Sequence, residues 1–233
     1  MKARRKLLSG LAMSVAFVFA LAPPGDAQVN DDVTNTKHNL SVSSGGSDPT
    51  SGNALEDYGE ICVYCHTPHG GQVEAPLWNR NFSTATYQMY ASATLDMAAD
   101  GQPTGISQAC LSCHDGTIGL DVIVNSPNVF ESGGGVIPPT TPGTNTMPVG
   151  NKNLGSDLRN DHPISITYDN VADPAFNSSI AIKAAGLRLF TDPTGGGEKV
   201  QCASCHNPHD DTNTPFLRIA NSSSNLCLTC HIK

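Results

Sequence analysis

Cys62-Val63-Tyr64-Cys65-His66, Cys110-Leu111-Ser112-Cys113-His114, Cys202-Ala203-Ser204-Cys205-His206 and Cys227-Leu228-Thr229-Cys230-His231 together contain every one of the eight cysteines of the 233-residue chain. A His follows each Cys-x-x-Cys pair at once, a pattern that a disulfide framework does not require. It is the attachment signature of c-type haem. Two thiols three positions apart can add to the two vinyl groups on one edge of a haem, and the next residue then brings an imidazole under the iron. A zinc ribbon needs paired Cys-x-x-Cys elements converging on one tetrahedral ion, and a thioredoxin-like redox pair needs only the two thiols. Neither explains a His after all four pairs. The spacing predicts four covalently attached haem c groups held by Cys62, Cys65, Cys110, Cys113, Cys202, Cys205, Cys227 and Cys230. His66, His114, His206 and His231 are the expected proximal iron ligands.

Eight His residues are present, so His38, His69, His162 and His209 remain. Their number equals the number of open iron positions. Bis-histidine ligation at every haem would use all the imidazoles, leaving no iron open to a substrate and no His for acid-base work; no catalytic residue is expected. Met89, Met97 and Met147 could serve as sixth ligands in principle, but read better as packing or loop residues.

Composition agrees with a core that is not made of aliphatic side chains. Only 15% of residues are charged, against about a quarter in an ordinary soluble domain, while Gly 22 and Pro 16 argue against long helices or broad sheets. Four macrocycles would supply much of the missing apolar area. The expected fold is a multihaem cytochrome c: mostly irregular coil with short helical turns and little strand, packed around four covalent haems. Helical turns are expected at Thr84 to Ala91 and at the haem motifs, and a hairpin at Leu187 to Phe190 with Lys199 to Gln201 around Asp192-Pro193-Thr194-Gly195-Gly196-Gly197. Trp78, Phe82, Tyr87, Tyr90 and Phe216 read as packing on haem.

Lys2, Arg4, Arg5 and Lys6 precede an apolar run from Leu7 to Ala22, with small residues at Gly25-Asp26-Ala27. Residues 1–27 read as a cleaved secretory signal peptide, because the apolar run falls short of the roughly 20 residues that span a bilayer. No stable membrane span is then expected after cleavage, and the destination is the periplasm or the cell surface. Taking the four basic and one acidic residue before position 28 from the chain's 13 Lys+Arg and 21 Asp+Glu leaves a formal charge of −11. An acidic chain of this kind is a poor partner for nucleic acid or anionic lipid.

The two halves can be laid over each other. His38-Asn39-Leu40-Ser41-Val42 recurs as His162-Pro163-Ile164-Ser165-Ile166, and Cys62 through His69 recurs as Cys202 through His209. Pro76-Leu77-Trp78-Asn79-Arg80 is echoed by Pro215-Phe216-Leu217-Arg218, and Ser107 to Leu111 by Ser224 to Leu228. The expected organisation is a first dihaem module at 28–131, a Gly/Pro-rich linker or loop at 132–153 and a second dihaem module at 154–233.

With Lys37-His38-Asn39-Leu40-Ser41, Cys65-His66-Thr67-Pro68-His69, Pro76-Leu77-Trp78-Asn79-Arg80, Cys113-His114-Asp115-Gly116-Thr117, Asp161-His162-Pro163-Ile164-Ser165 and Cys205-His206-Asn207-Pro208-His209, the chain resembles the doubled-CxxCH multihaem cytochromes, and among them the OmcE-type tetrahaem cytochromes of metal-reducing microbes. The resemblance runs from about His38 to Lys233. It implies bis-His haems throughout and subunits that polymerise head to tail into extracellular filaments, one axial His coming from a neighbouring subunit. The wider family also includes soluble periplasmic carriers.

The leading functional reading is therefore a noncatalytic electron conductor, either a carrier or a filament protomer, exchanging electrons with redox protein donors and acceptors and with extracellular metal oxides. The rival is a terminal reductase, which needs an iron with an exchangeable position. The wiring expected from the duplication places His69 on the Cys202/Cys205 haem and His209 on the Cys62/Cys65 haem, since each is too close to its own motif's His to clamp the same ring. It further places His162 on the Cys110/Cys113 haem and leaves His38 for a Cys227/Cys230 haem, that of a preceding subunit if the chain polymerises as the resemblance implies, or that of its own chain in a monomer.

Overall fold

A computed structural model describes residues 32–50, 55–73, 75–127, 145–191 and 196–232. The segment read as a signal peptide and most of the 132–153 stretch lie outside these residues. Irregular backbone dominates, as expected for a chain rich in Gly and Pro. Among the described residues there are four short helices, α1 (Ile106–His114), α2 (Ser179–Ala184), α3 (Cys202–Cys205) and α4 (Asn225–Cys230), with 3-10 turns at Val33–Asn35, Cys62–Tyr64 and Ser222–Ser224. Three strands, β1 (Ile166–Thr167), β2 (Phe190–Thr191) and β3 (Glu198–Val200), form one antiparallel sheet in the order β1-β3-β2.

Each haem motif lies on a helical turn. α1 ends at His114 itself, and the 3-10 turn at Cys62–Tyr64 and the helices α3 and α4 stop one residue before or at the second Cys. One turn of helix brings the two thiols of a pair to one side. Past the second Cys the backbone of His206 and His231 turns extended, which ends the helix and frees the imidazole to point away from it. α3 is capped reciprocally: the Gln201 side chain and the Ser204 hydroxyl satisfy backbone N–H groups at each other's positions.

The apolar core is divided into small patches. Met97, Ile166, Tyr168 and Ile182 form one, Leu55, Leu120 and Met147 another, Tyr58, Val63 and Tyr64 a third, and Tyr87, Leu111 and Leu158 a fourth. Met97 and Met147 thus pack against aliphatic and aromatic neighbours, and Met89 packs against the fourth patch. The fully buried Arg80 substitutes for apolar filling in one place, donating from Nη1 to the Leu120 carbonyl at 2.8 Å and from Nη2 to the carbonyls of Gly119 at 2.6 Å and Ser112 at 3.3 Å.

The halves meet through apolar packing, Met97 against Ile166, Tyr168 and Ile182 and Leu158 against Tyr87 and Leu111, and through polar bonds. Ser107 on α1 donates to the Gln201 side chain, and its Oγ accepts from the Cys202 N–H at 3.0 Å. The Lys199 ammonium, nearly buried, pairs with Asp100 at 2.6 Å, and Ala99 bridges to Ile166. The described end of the 132–153 stretch is part of the body: Asn145 accepts from Leu120 N at 2.8 Å through its carbonyl and Met147 is buried.

Two expectations for secondary structure come out differently from each other. β2 and β3 pair as the hairpin reading requires, with Phe190 opposite Lys199, although the turn at 192–195 lies outside the described residues. Thr84 to Ala91 contains no helical turn; it runs extended and Gln88 bridges to Asp157 in parallel. Its apolar residues, Ala85, Tyr87 and Met89, alternate rather than recurring at helical spacing, so the extended form buries them on one side.

Candidate haem-binding sites

The sulfur atoms follow one another in sequence order. All eight cysteines are free of disulfides. Cys65 lies close enough to Cys113 for the two to interact electrostatically, and burial pushes its thiol up to about 12. Cys110 and Cys202 are neighbours whose titrations are linked, the proton staying on Cys110, which raises the Cys110 thiol and lowers that of Cys202. Cys205 and Cys230 lie near Cys227 and near each other, and burial pushes Cys230 up to about 11. The attachment edges of motifs one to four are therefore neighbours in the order of the chain, and the step from the second to the third crosses between the halves.

Three pairs of imidazoles face one another. His66 and His209 have ring centroids 6.1 Å apart, His38 and His114 6.2 Å, and His162 and His231 6.4 Å. Two metal–nitrogen bonds of about 2 Å each, with half a ring at either end, come to roughly 6 Å. The spacing is that of two axial imidazoles on one metal. Every pair joins one His of a Cys-x-x-Cys-His motif to one from outside it.

The ring nitrogens are prepared for ligation. Nδ1 lies 2.8 Å from the Pro76 carbonyl in His66, 2.7 Å from Lys152 in His114, 2.9 Å from Pro215 in His206 and 2.8 Å from Pro208 in His38. A carbonyl can only accept, so each Nδ1 carries the proton and Nε2 keeps its lone pair. Burial also holds His38 and His114 below the usual imidazole pKa, which keeps them neutral.

The donor set fits haem and does not fit zinc. Among the described residues no group of three or more His, Cys, Asp or Glu converges on one point, whereas a closed zinc site takes four protein ligands. Haem carries its own four nitrogens and asks the protein for two axial groups, the number each pair offers. A haem bound in such a place supplies a one-electron iron couple whose potential the axial ligands and their surroundings set.

The placement corrects part of the expected wiring. His38 lies against His114 within its own chain and does not reach toward the last motif. His162 faces His231 and not His114. The reason is non-local: His38 is held by Pro208 and by the ring of Phe216, stacked on it at 4.3 Å and 27°, neither of which is evident from the neighbourhood of His38 in the sequence. His206 and His69 face no second imidazole in the described residues, and His69 is exposed.

The duplication extends to the backbone. Thr67 N donates to the Leu77 carbonyl at 2.9 Å and Asn207 N to that of Phe216 at 2.7 Å, while Asn79 N and Arg218 N donate at 2.8 Å to Cys65 and Cys205. Trp78 bridges to His66 as Leu217 does to His206. This register makes Arg218 the equivalent of Asn79, and their side chains do the same work, donating at 2.8 Å to the carbonyls of Ala203 and Val63. Arg80 then has no counterpart. Sequence reading overlooked the carbonyls of Pro76, Pro208 and Pro215 that fix the imidazoles; the available signals were the Pro of His206-Asn207-Pro208-His209 and the prolines that open the repeated Pro76-Leu77 and Pro215-Phe216 segments.

Among the described residues no helix is long and apolar enough to cross a membrane. No curated protein matches the chain. Residues 193–233, which hold the third and fourth motifs, match the family described as the doubled CXXCH motif. That match, with haem c bound covalently through Cys-x-x-Cys-His segments, supports a multihaem c-type cytochrome that works in electron transfer.

Proposed function

We propose that the chain is an exported tetrahaem c-type cytochrome that conducts electrons along four bis-histidine haems in the order of its motifs, and that it does so as the protomer of an extracellular head-to-tail filament for electron export. Each haem is attached through its own Cys pair, with His66 and His209, His114 and His38, and His231 and His162 as the axial pairs of the first, second and fourth. The observation that carries this is the facing of those three pairs at 6.1 to 6.4 Å. A six-coordinate iron has no position for a substrate, so electron transfer outranks reductase chemistry. The nearness of cysteines from successive motifs, each close enough to the next to interact electrostatically, supports conduction from one motif to the next.

Polymerisation follows from the two His residues left over. His206 needs a second axial ligand, and the exposed His69 of a neighbouring subunit provides it. A contact between two different surfaces of the same chain does not close on itself unless the rotation makes a ring, so it propagates. The test uses the exported holoprotein. Pyridine haemochrome assay should return four haems per chain, electron microscopy should show filaments, and carbon monoxide should leave the reduced Soret band of those filaments unchanged. Three or fewer haems, or carbon monoxide binding at several irons in the assembled protein, would overturn the reading. Particles that stay monomeric would replace it by a soluble periplasmic carrier.

A further inference from the structure

The loop 206–217 of the second module holds the first module through three groups. His209 faces His66 at 6.1 Å, the Pro208 carbonyl accepts from His38 Nδ1 at 2.8 Å, and Phe216 stacks on the His38 ring. One loop thereby supplies the second imidazole at one haem site of the first module and steadies it at the other.

The loop 66–77 of the first module is the same device without an object. Its backbone hydrogen bonds repeat those of 206–217, as set out above, and Leu77 and Phe216 share an uncommon positive φ, 53° and 59°. The counterparts of the three gripping groups are His69, the Pro68 carbonyl and Leu77. All three face solvent: Pro68 and His69 are exposed, Leu77 is 52% exposed, and the Pro68 carbonyl accepts no hydrogen bond from the described residues. A leucine held at positive φ with half its surface in water is costly by itself, which a docked partner explains.

The second module correspondingly lacks the grip that the first one has. His206 faces no second imidazole in the described residues. His162, the equivalent of His38, is exposed, and its Nδ1 reaches only the carbonyl of the adjacent Pro163 at 3.0 Å, where His38 uses the distant Pro208.

Resting on the filament reading above, we infer that the loop 66–77 of one chain grips the second module of a second copy, repeating between subunits the contact that 206–217 makes within a chain. His69 stands opposite His206 of the partner subunit. The Pro68 carbonyl replaces Pro163 as the acceptor for His162 of the partner subunit, and Leu77 packs on that same ring as Phe216 does on His38. The filament is then a string of quasi-equivalent modules in which each is held by the loop of the next. The contact between chains and the contact within a chain are one geometry used twice.

The experiment compares wild-type holoprotein with L77D and H69A by sedimentation velocity and electron microscopy, with haem counted by pyridine haemochrome. Asp adopts positive φ more readily than Leu, so L77D keeps the fold of an isolated chain. Both variants should retain four haems and lose filaments, and both should bind carbon monoxide at one iron that is closed in wild-type filaments. A density map of the filament should place Leu77 against His162 of the partner subunit. Wild-type filaments accompanied by unimpaired L77D filaments, or a map with Leu77 in solvent, overturn this docking and leave the filament reading standing. A wild-type chain that never polymerises overturns both.

Discussion

The imidazole of His209 stands 6.1 Å from that of His66, and the two rings are within 30° of parallel. A loop of the second half thus completes a site that begins in the first. Replacing His209 by Ala should leave four attached haems and open one further iron relative to wild type, read as carbon monoxide sensitivity of the reduced Soret band. An unchanged spectrum would show that His209 is not the axial partner of His66.

Arg80 is buried on three main-chain carbonyls, and among the described residues no carboxylate pairs with it. A lysine cannot present the same planar fork. Arg80→Lys should therefore lower the stability to urea by about 1–3 kcal/mol, through carbonyls left without a donor. Equal unfolding midpoints for the two proteins would contradict this role.

Directly after the second motif, the Asp115 carboxylate accepts from the Tyr87 hydroxyl at 2.6 Å and from Thr117 N at 2.9 Å. Tyr87→Phe removes the donor and leaves the carboxylate in place. The expected cost is about 1–3 kcal/mol, and Asp115→Asn combined with Tyr87→Phe should cost less than the two separate losses added together, because the charge that needed the donor is gone. Denaturant titration of the four proteins reads this coupling.

Burial pushes the hydroxyls of Tyr58, Tyr64 and Tyr168 up to about 12 from the ordinary 10. Raised in the folded state, each group contributes stability in full below pH 10 and loses it as pH rises from 10 through 12. Tyrosinate absorbance of these groups should appear together with cooperative unfolding, above pH 10. A gradual rise centred near pH 10 with the fold intact would show them to be accessible.

The motifs alone determined the attachment cysteines and the four proximal imidazoles as candidates, because their chemistry is fixed by spacing within five residues and needs no information from elsewhere in the chain. The count of eight His likewise named the candidate axial ligands before any fold was known. The hairpin of β2 and β3 was legible from the Gly-rich turn between the Leu187 to Phe190 and Lys199 to Gln201 segments. Thr84 to Ala91 was not, since alternation and helical spacing are hard to tell apart over eight residues and the parallel bridge to Asp157 decided the matter. The pairing of His38 with His114 also lay beyond sequence reasoning: the nearest motif in the chain is that of Cys62, yet Pro208 and Phe216, 170 and more positions away, hold the ring where it is. Covalent and helical geometry over one turn is local and is written in the residues; which distal imidazole meets which proximal one depends on loops packing across the two halves, and only the tertiary structure decides that.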